Sequence, residues 1–219
     1  NKCAKCIKMF NGTVVTILED AKIPLRKWLL AMYMLTSHKK GISTLQLAKD
    51  IKVTQKTAWY MLHRIRHVFS ANKSKELMSN IVEADEVYIG GKPKKGDKKL
   101  DENGKRINKA GRGTKKTPVI GIVERESGKI KIMPVPKTDM KTLHGFIMEN
   151  VERDATLITD QYTSYVGLDK YYVHKRINHE KREYSIDGVH VNTIEGFWGL
   201  FKRGIIGIYH YVSPKHLDL

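Results

Sequence analysis

The chain has 219 residues, enough for one large domain or two modest ones. Lys and Arg outnumber Asp and Glu by 40 to 23, a formal net charge of +17, and such an excess points to a polyanionic partner, because each phosphate neutralised releases counterions. No run of about 18 apolar residues occurs, so a membrane-spanning helix is not expected. The basic residues are spread over loops and several elements rather than one amphipathic helix. That disfavours a membrane surface and leaves nucleic acid as the expected partner. The first residues, Asn1-Lys2-Cys3, show no signal-like apolar stretch, and the expected compartment is the cytosol.

Residues 1–20 contain the only cysteines, Cys3 and Cys6, and a β-like run over 13–18. One C-x-x-C cannot complete a four-ligand zinc site. It reads either as two reduced thiols or as the second knuckle of a zinc ribbon whose first knuckle lies upstream. Zn²⁺ is therefore expected only with the full ribbon, of which 1–20 would be a partial remnant.

Residues 21–79 read as a small helical domain. Pro24 suits a first helical turn, and Leu25, Trp28, Leu29, Met32 and Leu35 follow at helical spacing. Ser43 can cap a second helix with Gln46 at the capping-box position, its apolar positions being Leu45, Leu47, Ala48 and Ile51. Lys52-Val53 make a tight turn. Thr54 can cap a third helix carrying Ala58, Met61, Leu62, Ile65 and Phe69. A short helix, a turn and a longer helix form the helix-turn-helix pattern, and Gln55, Lys56 and Thr57 stand where base edges are read. A three-helix packing module without DNA is the plainer alternative.

Residues 80–219 alternate strands and helices. A strand over 81–89 is followed by a polar segment, 92–116, with nine Lys and two Arg against three acids. Its net +8 and four glycines predict a loop on DNA phosphates, with Lys94, Lys95 and Arg112 among its contacts. Strands are predicted over 117–124 and 129–135, joined by a turn at Glu126-Ser127-Gly128. A helix capped by Thr138 should run over 139–151, then a strand over 155–159 ending at Asp160. A helix over 162–171, a strand over 172–177 and a last helix from Asn192 complete the series. The predicted fold class is α/β, a ribonuclease H-like mixed sheet with flanking helices, preceded by the helix-turn-helix domain.

Three acids stand at informative places. Asp85 lies in the first strand, Asp160 at a strand end where α/β sheets place their sites, and Glu195 in the last helix, with 34 residues between it and Asp160. Alternation puts Glu83 and Asp85 on one face and Glu86 on the other, which makes Glu83 the nearer rival of Asp85. Asn192, three residues before Glu195, is the alternative third ligand. Lys202 and Arg203 follow on the same helix, where they would hold DNA phosphate. His179 and His190 are lone loop histidines.

These local words resemble those of a known family. Asp85-Glu86-Val87-Tyr88-Ile89-Gly90-Gly91, Thr159-Asp160, and Asn192-Thr193-Ile194-Glu195-Gly196-Phe197-Trp198 with Lys202-Arg203-Gly204 resemble the bacterial insertion-sequence DDE transposases related to the eukaryotic Merlin elements. The stretch from Lys39-Lys40-Gly41-Ile42-Ser43 to Lys56-Thr57-Ala58-Trp59 resembles their helix-turn-helix. The resemblance implies metal-dependent DNA cleavage and strand transfer at transposon ends. Asp85, Asp160 and Glu195 would then be catalytic and would hold Mg²⁺ or Mn²⁺ as two ions. It also implies transposon-end and target DNA as partners, a homodimer or larger synaptic oligomer, and a bacterial cytoplasm near the nucleoid. A metal-dependent nuclease of the same fold and a non-catalytic DNA-binding regulator are the alternatives. A P-loop enzyme is disfavoured, since no G-x-x-x-x-G-K-[ST] occurs.

Overall fold

The structure, a computed structural model, describes residues 2–7, 13, 16–19, 21–71, 75–91, 114–177 and 190–217. The chain divides into two compact units, in the main residues 1–73 and 74–206.

The first unit is built on helices α1 (Leu25–Ser37), α2 (Thr44–Asp50) and α3 (Gln55–Ala71). Trp28 and Ala31, Leu47 and Ala48, and Ala58, Met61, Leu62 and Ile65 bring one stripe from each helix into a shared core. Ser43 caps α2 by accepting from the Gln46 amide at 3.1 Å, but the reciprocal half of the capping box is missing. The Gln46 side chain donates instead to Asp50 at 2.8 Å, one turn along the same helix. Thr54 accepts from the Thr57 amide at 3.2 Å and so caps α3. Lys52, at φ 52°, makes the left-handed turn between α2 and α3. Leu25, Leu29, Leu45 and Phe69, expected inside, are exposed; a three-helix core is narrow enough to take only the central stripe. The β-like run over 13–18 is also corrected, because Thr13 and residues 16–18 lie in turns. There the Thr16 amide donates to the Thr13 carbonyl and the Thr16 hydroxyl accepts from the Leu18 amide, a local bonding that competes with strand pairing.

The second unit is one five-stranded sheet, β1 (Ile81–Ile89), β2 (Thr117–Glu124), β3 (Ile130–Pro134), β4 (Thr156–Asp160) and β5 (Val173–Ile177), in the order β3-β2-β1-β4-β5. The β1–β2 and β2–β3 pairs are antiparallel, and β1–β4 and β4–β5 are parallel. This is the mixed α/β sheet of the ribonuclease H-like class. Helix α4 (Met140–Asn150) packs Leu143, Phe146 and Ile147 on one face, against Val82, Ala84, Ile120, Ile122 and Leu157. Helix α5 (Asn192–Gly204) packs Ile194 and Trp198 on the other, against Val87, Val119, Val123 and Ile158. The period-two alternation of β1 thus feeds two separate cores.

Three local expectations are corrected. Asp139 rather than Thr138 caps α4, accepting from the Thr142 amide at 2.9 Å, while the Thr138 hydroxyl pairs with Tyr88 at 3.1 Å. The helix expected over 162–171 is two 3-10 turns, Thr163–Tyr165 and Leu168–Lys170, separated by Gly167 at φ 93°, where a right-handed helix cannot continue. Residues 75–79, read with the helical region, run with the sheet unit: Met78 is buried in its core and exchanges backbone bonds with Asn150 and Glu152.

Candidate active site and nucleic-acid interface

The sheet register brings two aspartates together. Glu83 pairs with Ile158 across the parallel β1–β4 pair. Two residues further along each strand stand Asp85 and Asp160, on the face that α5 covers. Glu195 occupies the first turn of α5 and is exposed, as is Asn192, the first residue of that helix. The Asp160 carboxylate also accepts from the Tyr162 amide at 2.9 Å, which fixes the chain leaving β4.

Asp85 feels the acids around it. Its pKa is pushed up to about 7, first by burial, then by the negative charge of Glu86, with the charges of Asp160 and Glu195 adding to the rise. The Glu86 amide, donating to it, pulls the other way. Asp160 and Glu195 therefore both contribute to the field at Asp85. Among the described residues, however, no group of three acidic, His or Cys side chains is arranged to hold a metal ion as it stands.

The neighbouring acids have other tasks. Glu86 points to the α4 face, where it accepts from the Tyr165 hydroxyl at 3.0 Å; burial, followed by the charges of Glu86 and the other acids, holds that phenol well above its usual range. Glu83 is fully buried on the Asp85 face and is consumed by Arg125, Thr193 and Ile194. Gly121 lies opposite Asp85 on β2. A Cβ there would come within 2.7 Å of the Trp198 ring, so the bare backbone lets α5 lie close beside Asp85. Sequence reasoning missed both the Glu83 contacts and this approach; the signal for the first was the Glu83–Asp85 alternation, and for the second an isolated glycine within a strand. His190 lies beside the Glu83–Arg125 pair rather than among the acids. His179 lies outside the described residues.

Lys202 and Arg203 are exposed in the last turn of α5. Lys94, Lys95 and Arg112 lie outside the described residues. Cys3 and Cys6 share a tight turn closed by the Ile7 amide on the Cys3 carbonyl at 3.0 Å, and hydrogen bonds from the Cys6 backbone and thiol lower the Cys3 pKa. A cavity of about 510 Å³ opens beside α4, lined by Tyr88, Lys116, Thr138 and Tyr162 among others; none of the three acids lines it.

In the helical unit, Gln55 and Lys56 are exposed at the start of α3, while Thr57 is half-buried with its hydroxyl paired to Thr54 at 2.8 Å. The same face carries Trp59, 54% exposed, with its ring 4.2 Å from that of His63. Lys56, Trp59 and His63 recur at helical spacing, a signal that an eye set on polar residues passes over.

The model of the ISXO2-like transposase domain matches residues 77–219. The chain belongs to that transposase family. This transposase is 27% identical over 206 residues to an uncharacterized protein in transposable element ISH50 of Halobacterium salinarum, covering 92% of this chain and 69% of that one. Among solved structures it is similar to a simian T-cell lymphotropic virus intasome chain, at 14% identity and a TM-score of 0.34, covering 80% of this chain and 58% of that one. It is also similar to the Mos1 mariner transposase in a paired-end complex with Mn, at 16% identity and a TM-score of 0.26, covering 71% and 60%. The transposase thus spans about three fifths of either chain. Among the described residues no helix is long and apolar enough to cross a membrane.

Proposed function

We propose that this transposase cuts DNA at transposon ends and joins the freed 3′ ends to target DNA, with Asp85, Asp160 and Glu195 as the ligands of divalent metal. The observation that carries the reading is the parallel register of β1 and β4, by which Asp85 and Asp160 stand side by side on the sheet face that α5 covers, with Glu195 in the first turn of that helix. The donor set fits Mg²⁺ or Mn²⁺, being made of hard carboxylate oxygens. Gathering negative charge at a half-buried site is unfavourable without a cation and favourable with one. When bound, such ions stabilise charge on the attacking and leaving oxygens of an in-line displacement.

In the first step a water oxygen bonds to the scissile phosphorus, the bond from phosphorus to the 3′ oxygen breaks, and that oxygen leaves as a 3′-OH. In the second step the new 3′-OH bonds to a target phosphorus and displaces the target's own 3′ oxygen. The first step hydrolyses a phosphate ester bond and the second exchanges one for another, but each is an in-line displacement of a 3′ oxygen at phosphorus, so one site serves both. The chain's own residues set the geometry: β1 and β4 hold two carboxylates side by side, and α5 presents the third. Lys202 and Arg203, on exposed positions of that helix, hold the phosphates flanking the cut. Gln55 and Lys56 read base edges from α3 with Trp59 beside them, while Thr57 fixes the start of the helix through Thr54. The basic segment 92–116, with Lys94, Lys95 and Arg112, grips phosphates of any sequence. Synapsis of two ends calls for a homodimer or larger oligomer. Kinship with the Merlin elements rests on the sequence motifs alone.

The test is a strand-transfer assay with matched transposon ends and Mg²⁺ or Mn²⁺. Nicked and joined products are expected from the parent chain and neither from Asp160→Asn. Nicks without joining would replace the reading by a nuclease; end binding without either product would replace it by a regulator.

A further inference from the structure

We propose that Glu83 is a positioning residue that locks Glu195 into register with Asp85. The inference rests on the reading of Asp85, Asp160 and Glu195 as metal ligands. Glu83 is 0% exposed and stands two residues before Asp85 on the same face of β1. A buried carboxylate is costly unless both oxygens are satisfied, and here both are. One oxygen accepts from Arg125 Nε at 2.9 Å and from the Thr193 hydroxyl at 2.8 Å. The other accepts from the backbone amides of Thr193 at 2.9 Å and Ile194 at 3.0 Å.

Those two amides belong to the first turn of α5. Such amides have no partner within their own helix, and Val191, at the N-cap, offers no side-chain cap. The strand therefore supplies the cap, and a negative group at a helix start is favoured by the helix dipole. Glu195 follows Ile194 directly, so the carboxylate that caps the helix also sets how far along β1 its catalytic turn stands. Arg125 completes the clamp. Its amide donates to the Ile81 carbonyl at 2.9 Å and its guanidinium to the His190 carbonyl at 2.8 Å, which pins the chain entering α5. A clamp of this strength has a reason. Asp85, Asp160 and Glu195 repel one another, and without restraint the exposed turn of α5 relieves the repulsion by moving away. Charge-assisted bonds to its backbone hold it in place between turnovers.

The test uses the whole chain of 219 residues and Mn²⁺ alone as probe, with binding followed by calorimetry and by the Mn²⁺ resonance signal, well below the melting temperature. Glu83→Gln keeps the size but turns one acceptor into a donor facing amides. It is expected to raise the Mn²⁺ Kd by about 10- to 100-fold, as loss of ligand-orienting groups does, and to speed hydrogen exchange at the Thr193 and Ile194 amides. Thr193→Val, which removes one bond of the clamp and carries the test if Glu83→Gln does not fold, should weaken Mn²⁺ several-fold. Thr193→Ser should restore it. Ile147→Val, in the core of the opposite face, should lower the melting temperature without changing Mn²⁺ affinity. A Glu83→Gln or Thr193→Val chain that loses melting temperature but binds Mn²⁺ as the parent does would overturn the proposal. If Asp85→Asn also left Mn²⁺ binding unchanged, the metal-site reading itself would fall, and the proposal with it.

Discussion

On the α4 face of the sheet, Glu86 meets a buried tyrosine hydroxyl among aliphatic side chains, and the surrounding elements close over it. On the α5 face, Glu83 and Asp85 follow one another on the same strand, yet only Glu83 is fully buried and saturated by donors. Asp85 keeps a raised pKa, from burial first and then from the charges of the other acids. The difference teaches where to look for function in a strand rich in carboxylates. An acid whose charge the fold has neutralised is structural, and one whose charge the fold leaves in excess is available to a cation.

The comparison breaks most visibly at Asp160. Asp160→Asn keeps the size of the side chain and removes charge from the α5 face alone. Cleavage and joining should fall by about 10³-fold or more, while end binding in a gel-shift titration stays within about two-fold. Joining at the parent rate would place the chemistry elsewhere.

A second expectation concerns pH and the α4 face. His174 is buried with Nε2 against the Thr159 hydroxyl at 2.9 Å, and that hydroxyl itself donates to the Asp160 carbonyl. The ring therefore donates from Nε2, and its Nδ1 accepts from Arg176 Nε at 3.4 Å, which makes it neutral. Burial, and then the charge of Arg176, depress its pKa from 6.5 to about 4, against the opposing pull of Asp169. The unfolded chain binds the proton more readily, so this contribution to stability is complete above about pH 6.5 and lost as pH falls toward 4. The loss is at most about 1.4 kcal/mol per pH unit. Asp85, with its pKa raised to about 7, contributes with the opposite sign over the same window, so the reading is the difference: as pH falls toward 4, the urea midpoint of the parent should decline relative to that of His174→Gln.

Glycines sharpen the contrast between the faces. Gly121→Ala drives a Cβ into the Trp198 ring on the α5 face and should cost about 1–3 kcal/mol in urea unfolding. In α4, a Cβ at Gly145 meets nothing within 4 Å, so Gly145→Ala should gain about 0.5–1 kcal/mol from helix propensity. Equal effects would show that α5 has no special closeness to β2. A further contrast comes from Tyr165→Phe, which removes the donor to Glu86. It should cost about 1 kcal/mol and leave Mn²⁺ affinity unchanged; a shift in that affinity would mean that Glu86 belongs to the acidic site.

Much of this was legible in the sequence because it is written in local periods. The alternation of β1 separated Glu86 from Asp85, and the succession of strands along the chain followed from apolar runs and the turn at Gly128, where φ is 68°. What stayed hidden depends on contacts across long separations. Nothing near Glu83 announces Thr193, 110 residues away, and nothing near Gly121 announces Trp198. The 162–171 segment misled because its composition suits a helix, while Gly167 at positive φ divides it. The exposure of Leu25, Leu29 and Phe69 was likewise set by the width of a core that their helices share, which no single helix encodes.

The most direct measurement is a crystal structure of the full chain soaked in Mn²⁺, with the ions located by anomalous scattering. The account predicts Mn²⁺ between Asp85 and Asp160, with Glu195 turned in as a ligand and Glu83 still bonded to Thr193 and Ile194. Mn²⁺ bound away from Asp85 and Asp160, or held by Asn192 in place of Glu195, would contradict it.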